Sequence, residues 1–80
     1  MKAKDAVAYR IDALCRQKTI TYNELAIRSG ITASTVYSIF DVSRRNIGIT
    51  TIMKICDGLD VTLKQFFDDS IFENVEQEIE

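Results

Sequence analysis

Apolar residues recur at helical spacing through most of the chain, and the polar residues between them mark where each helix starts and stops. Val7, Ile11, Leu14 and Cys15 stand at i, i+4, i+7 and i+8, a single helical face, and predict a first helix over residues 3–17. Thr21-Tyr22-Asn23-Glu24 has the make-up of a capping box, in which the Thr21 hydroxyl accepts from the N–H of residue 24 and Glu24 reaches back to the N–H of Thr21. A second helix therefore starts at Tyr22, with Leu25 and Ala26 on its inner face. Val36 and Ile39 give the three-residue spacing of a third, from Ala33 to Phe40. Ile49, Ile52, Met53, Ile55, Cys56 and Leu59 cover more than half the circumference of a fourth over residues 49–59, as the central helix of a small bundle requires. Thr62-Leu63-Lys64-Gln65 is a second capping box, opening a fifth helix that carries Leu63, Phe66 and Phe67 through Asp69. Beyond it, Ile71, Phe72, Val75 and Ile79 keep helical spacing among acids, which fits either a sixth amphipathic helix or a frayed end. The pattern is that of an all-α, compact five-helix domain over residues 1–69, followed by an acidic extension over 70–80.

The connection between the second and third helices is the most informative. In Ser29-Gly30-Ile31-Thr32, Gly30 can take the left-handed conformation that closes a helix cheaply, and the Thr32 hydroxyl can cap the next one. Ala26 is small where the third helix must cross close by. Two short helices joined by a three- or four-residue turn with a glycine describe a helix-turn-helix, whose second helix enters the DNA major groove. Asp41 to Gly48 is a polar loop carrying the adjacent Arg44 and Arg45. Asp60 can end the fourth helix, since a short acid tolerates the left-handed conformation.

Charge changes the picture more than composition does. Net charge is −2, which by itself argues against a nucleic-acid partner. Residues 1–56, however, carry nine Lys/Arg against four acids, whereas residues 57–80 carry Lys64 against eight acids. This asymmetry suggests a basic face for an anionic partner and an acidic end held away from it. Eighty residues, 46% of them apolar, allow one small domain that buries roughly 60–65% of its unfolded surface. Cys15 and Cys56 form no C-x-x-C pair and fall on apolar helix faces, so buried thiols are expected there rather than a metal site or a disulfide. An enzyme is the weakest reading. The chain has no histidine, no plausible nucleophile–base pair and no phosphate-cradling glycine loop, and the neighbouring Asp68 and Asp69 point in different directions on a helix. No catalytic residue, metal, cofactor or small-molecule ligand is expected. The N-terminal stretch lacks the apolar run of a signal peptide and no segment could span a bilayer, so a cytoplasmic location is expected, with no membrane partner.

The stretch from Ile20 to Gly30, the turn and third helix through Asp41, and Asn46 to Phe67 together resemble the Cro/C1-type (XRE-like) helix-turn-helix domain of phage repressors and small bacterial regulators. About two thirds of the chain is covered. The resemblance implies a lambda-repressor-like bundle that binds double-stranded DNA as a homodimer and regulates transcription, as a bacterial or phage repressor. It aims Ala33, Ser34, Tyr37 and Ser38 at base edges, with Thr32 at the rim of the groove. None of these is the Arg, Gln or Asn that makes bidentate base contacts, each worth ~1–3 kcal/mol of discrimination. It places Tyr22, Arg44, Arg45 and Asn46 along the phosphates, Tyr22 standing where the family usually has glutamine. Arg44 and Arg45 are a phosphate clamp or a solvated loop, Lys2 and Lys4 are phosphate contacts or part of a mobile terminus, and Arg28 is a phosphate contact or solubilising charge. The family often has glycine or an acid near Phe40 and Val42 and proline near Ile47; Phe40 here reads as a packing residue. Phe66, Phe67, Ile71 and Phe72 offer more apolar surface than one small core absorbs easily, and Phe67, Ile71 and Phe72 are the expected dimer interface. The alternative is an antitoxin-like or regulator-subunit interaction module built on the same fold, consistent with the acidic, aromatic C-terminal segment.

Overall fold

The structure, a computed structural model, describes residues 1–44 and 47–75. It is all-helical: α1 (Ala3–Lys18), α2 (Tyr22–Ser29), α3 (Ala33–Phe40), α4 (Ile49–Leu59), α5 (Leu63–Phe67), then a 3-10 turn (Ser70–Phe72). Local chemistry sets most of these bounds. Both capping boxes form. Thr21 Oγ1 accepts from the Glu24 N–H at 3.1 Å while the Thr21 N–H donates to Glu24 Oε1 at 3.3 Å; at Thr62 the corresponding bonds to Gln65 are 3.0 and 2.8 Å. Gly30 (φ 68°) and Asp60 (φ 57°) close α2 and α4 in the left-handed conformation. Thr19 does the same for α1 at φ 56°, which its sequence did not announce, because a β-branched residue there costs ~1–2 kcal/mol. The turn is held by the Ile20 N–H donating to the Cys15 carbonyl at 2.9 Å, which delivers Ile20 into the core.

One core joins all five helices. Ile11, Leu14 and Cys15 from α1 meet Leu25 and Ala26 of α2, Val36 and Ile39 of α3, Ile52, Ile55, Cys56 and Leu59 of α4, and Phe66 of α5. Both cysteines are buried free thiols. Helices α2 and α4 approach each other closely at Gly58. A Cβ on Gly58 would run into the Ser29 hydroxyl and lie 3.0 Å from the Ser29 nitrogen, so only glycine lets the two backbones come this close.

Four expectations are revised. The apolar face of α4 is narrower than its composition suggests, since Ile49 and Met53 are 59% and 51% exposed. Helix α5 ends at Phe67, before Asp69, because the Asp69 backbone is extended (φ −154°) and its carboxylate accepts from the Ile71 N–H at 2.9 Å, starting the 3-10 turn. That turn is the only helical piece after α5 among the described residues; Ile79 lies outside them. Arg10, one of the nine basic residues of the first 56, turns inward rather than joining a basic face. Its guanidinium crosses to the end of α5, donating to the Phe66 carbonyl at 2.7 Å and the Gln65 carbonyl at 2.9 Å, and pairs with Asp69 at 3.1 Å. A cation is favourable on the carbonyl end of a helix, and this one ties α1 to the C-terminal segment. Phe72, finally, is half-buried against the core, its ring 4.9 Å from Phe67 and 6.1 Å from Phe66. The core thus takes up Phe66 and part of Phe72, while Phe67 stays 39% exposed.

Candidate nucleic-acid interface

The candidate interface is the exposed side of α3 with the start of α2 and the loop after α3. Gly30 turns the chain so that Ile31 packs partly against the core, its N–H donating to the Ala26 carbonyl at 3.1 Å. Thr32 then caps α3 through its hydroxyl, which accepts from the Thr35 N–H at 3.2 Å. Val36 (0% exposed) and Ile39 (4%) anchor one face of α3, which leaves Ser34, Tyr37 and Ser38, one helical stripe, on the other. Tyr37 is 51% exposed.

The five side chains expected at base edges differ in what they still have to offer. The Thr32 hydroxyl lies 2.8 Å from Thr35 Oγ1 and 3.1 Å from Ser34 Oγ, so it is absorbed by the helix start. Ser38 donates its proton to the Ser34 carbonyl at 2.8 Å and keeps only acceptor capacity. Ala33 is half-buried against the core. Ser34 is exposed, and Tyr37 presents the largest polar-tipped side chain of the set.

Tyr22 is placed differently from its expected phosphate role. Its ring lies between α1 and α3, stacked on Phe40 (centroids 4.3 Å, planes 6° apart) and edge-on to Tyr37 (5.9 Å, 76°). Its hydroxyl donates to Asp12 of α1 at 2.5 Å, so the proton a phosphate would receive is already given to a carboxylate. Burial first, and then the bond to Asp12, push the Tyr22 phenol up to about 12. Asp12 is itself paired with Arg16 at 2.9 Å. Sequence reasoning missed Asp12, for which no local spacing gives a signal: it is ten residues from Tyr22 and on another helix.

In the loop, Asp41 organises the chain after α3. Its carboxylate accepts from the Ser43 N–H at 3.0 Å and hydroxyl at 2.7 Å. Arg44 Nε lies 3.8 Å from Asp41 Oδ2, but the side chain is 74% exposed, and such surface pairs are worth little, so its charge still faces outward. Arg45 and Asn46, the other two phosphate candidates, lie outside the described residues. At the far end, Phe67 is 39% exposed and Ile71 half-buried. Among the described residues no three His, Cys, Asp or Glu side chains come together, and no helix is long and apolar enough to cross a membrane.

This arrangement is a short helix, a left-handed glycine, a threonine-capped second helix and a core behind both. Compared with known protein families, residues 10–70 match the Cro/C1-type HTH DNA-binding domain. The chain belongs to that family. No curated protein and no solved structure matches it. As a member of this family, the chain is a DNA-binding domain of helix-turn-helix type, with α2 and α3 as the paired helices.

Proposed function

We propose that this Cro/C1-type domain reads a specific double-stranded DNA site as a homodimer and regulates transcription, as a small cytoplasmic repressor. The observation that carries the reading is α3 itself: Val36 and Ile39 fix it firmly from behind, while Ser34 and Tyr37 stand exposed on its open side. Base-edge contacts are assigned to Ser34 and Tyr37, with Ala33 supplying a methyl contact, Ser38 an acceptor, and Thr32 standing at the rim of the groove. Arg44, with Arg45 and Asn46, is assigned to the phosphates, where positive charge sets register and affinity without reading sequence. Tyr22 supports α3 and offers the phosphates its backbone N–H end rather than its hydroxyl proton. One reading helix covers about half a site, so a second copy is needed for useful affinity. Phe67, flanked by Ile71 and the edge of Phe72, is the proposed contact, with the surrounding acids keeping that end away from DNA.

The rival reading, an antitoxin-like or regulator-subunit interaction module, draws on one observation: the hydroxyls of Thr32 and Ser38 are engaged within α3, which leaves few groups to read bases. Selection from a pool of random duplex DNA, with sequencing of the retained fraction at two salt concentrations, separates the two. An enriched site with two-fold symmetry is the expected result. Retention without enrichment would reduce the protein to a non-specific binder, and no retention at low salt would favour the interaction module.

A further inference from the structure

The Tyr22–Asp12 bond has no evident place in a simple helix-turn-helix scaffold. The ring of Tyr22 needs no hydroxyl to stack on Phe40, yet the hydroxyl reaches across to α1 and is held there by a carboxylate that is only 27% exposed and braced by Arg16. The ring is thereby fixed at both ends, by the Phe40 stack and by the Asp12 bond. It also meets the ring of Tyr37 at a steep angle, with centroids 5.9 Å apart. An exposed tyrosine on a helix has two accessible χ1 rotamers, and an aromatic edge on one side of it favours one of them. A Tyr37 held in one rotamer carries its hydroxyl to one place in the groove. A Tyr37 free to swing samples several, and its hydrogen bond no longer discriminates between bases.

We propose that Asp12 and Tyr22 are positioning residues for sequence readout: they hold the side chain of Tyr37 in the orientation that sets base preference at one position of the site. The inference rests on the reading of α3 as the base-contacting helix. It assigns specificity to a carboxylate on α1, outside the two helices of the helix-turn-helix.

The test is the base-preference profile from random-duplex selection, taken for the wild type, Asp12→Ala, Asp12→Asn, Tyr22→Phe and Tyr37→Ala. The position whose preference is lost in Tyr37→Ala identifies what Tyr37 reads. At that position Asp12→Ala and Tyr22→Phe should each lower discrimination about fivefold, the scale of one weakened base contact, and leave the other positions as they are. Asp12→Asn keeps an oxygen that accepts from the Tyr22 hydroxyl and should retain most of the preference. Adding Tyr22→Phe to Tyr37→Ala should change nothing further in the profile, since the two act in series. A merely structural pair would instead lower the melting temperature and weaken all sequences alike, with an unchanged profile, and that result overturns the inference. So does an unchanged profile in Tyr37→Ala. In both cases wild-type enrichment shows that the DNA-reading function stands. A wild type that enriches no site removes the function and this inference together.

Discussion

Gly58 shows how much one absent atom decides. A glycine inside a helix ordinarily costs about 0.5–1 kcal/mol relative to alanine, so Gly58→Ala would be expected to stabilise α4. Here the added methyl meets the Ser29 hydroxyl and two backbone positions of α2, at 3.0 Å from Ser29 N and 3.2 Å from the Arg28 carbonyl carbon. Backbone cannot swing aside as a side chain can. Gly58→Ala should therefore destabilise by about 1–3 kcal/mol, read as a lower melting temperature, and a variant as stable as wild type would contradict the close α2–α4 approach. The titratable residues of the core predict an alkaline limit. Burial, with Asp12 adding to it, raises the Cys15 thiol to about 11, and Tyr22 is raised to about 12. Both groups hold their protons longer in the folded chain than in the unfolded one, so the stability they contribute is present in full below their ordinary values of 9 and 10. It is lost as pH rises through the folded values. Melting temperature should fall between pH 9 and 12, and Cys15→Ser with Tyr22→Phe should flatten that decline; an unaltered curve would exclude both groups as its cause.

At the scale of elements, the weakest piece is the five-residue α5 with its 3-10 turn, too short to persist without tertiary contacts. Two things hold it: Phe66 in the core and the Arg10 guanidinium on the last carbonyls. Arg10→Met keeps the aliphatic stem and removes the cation. Its hydrogen bonds to carbonyls and to Asp69 are of the charged kind, so the expected loss is about 1.5–3 kcal/mol. The loss should be local first. Amide hydrogen exchange at residues 66–72 should accelerate more than exchange in α2 and α3, and uniform acceleration would mean that Arg10 serves global stability instead. The helix-turn-helix pair, by contrast, has its caps, its turn and its buried face encoded within about twenty consecutive residues, and it was legible for that reason.

Across the whole molecule, charge and length set what one copy can do. The longest dimension is 33 Å, about one turn of B-DNA, so one copy can span no more than a single turn, which is in keeping with the proposed homodimer. Removing the charge of Arg44, as Arg44→Ala, should weaken binding to all DNA sequences and reduce the slope of log affinity against log salt by about one; an unchanged slope would take Arg44 out of the phosphate set. Phe67 is less deeply placed than its two aromatic neighbours. Phe67→Asp should shift sedimentation toward monomer with little change in melting temperature. A persistent dimer would move the interface elsewhere, and the exposed Ile49 and Met53 of α4 would be the next surface to test.

The sequence by itself determined the helical class, the family, both capping boxes, the glycine turn and nearly every helix bound. These are consequences of hydrogen bonding and apolar spacing over four to eight residues, which neighbours in the chain dictate. Only the tertiary structure decided how far the apolar face of α4 extends and which polar groups meet the edges of the buried faces. It laid Arg10 against a segment 56 residues away, gave the Tyr22 hydroxyl to Asp12, set Gly58 on Ser29 and folded Phe72 partly inward. Each of these depends on how one helix is rotated about its axis relative to another, and a rotation of a few tens of degrees would undo any of them. Periodicity reports that a face is apolar; it carries no record of which polar groups come to rest at that face's edges.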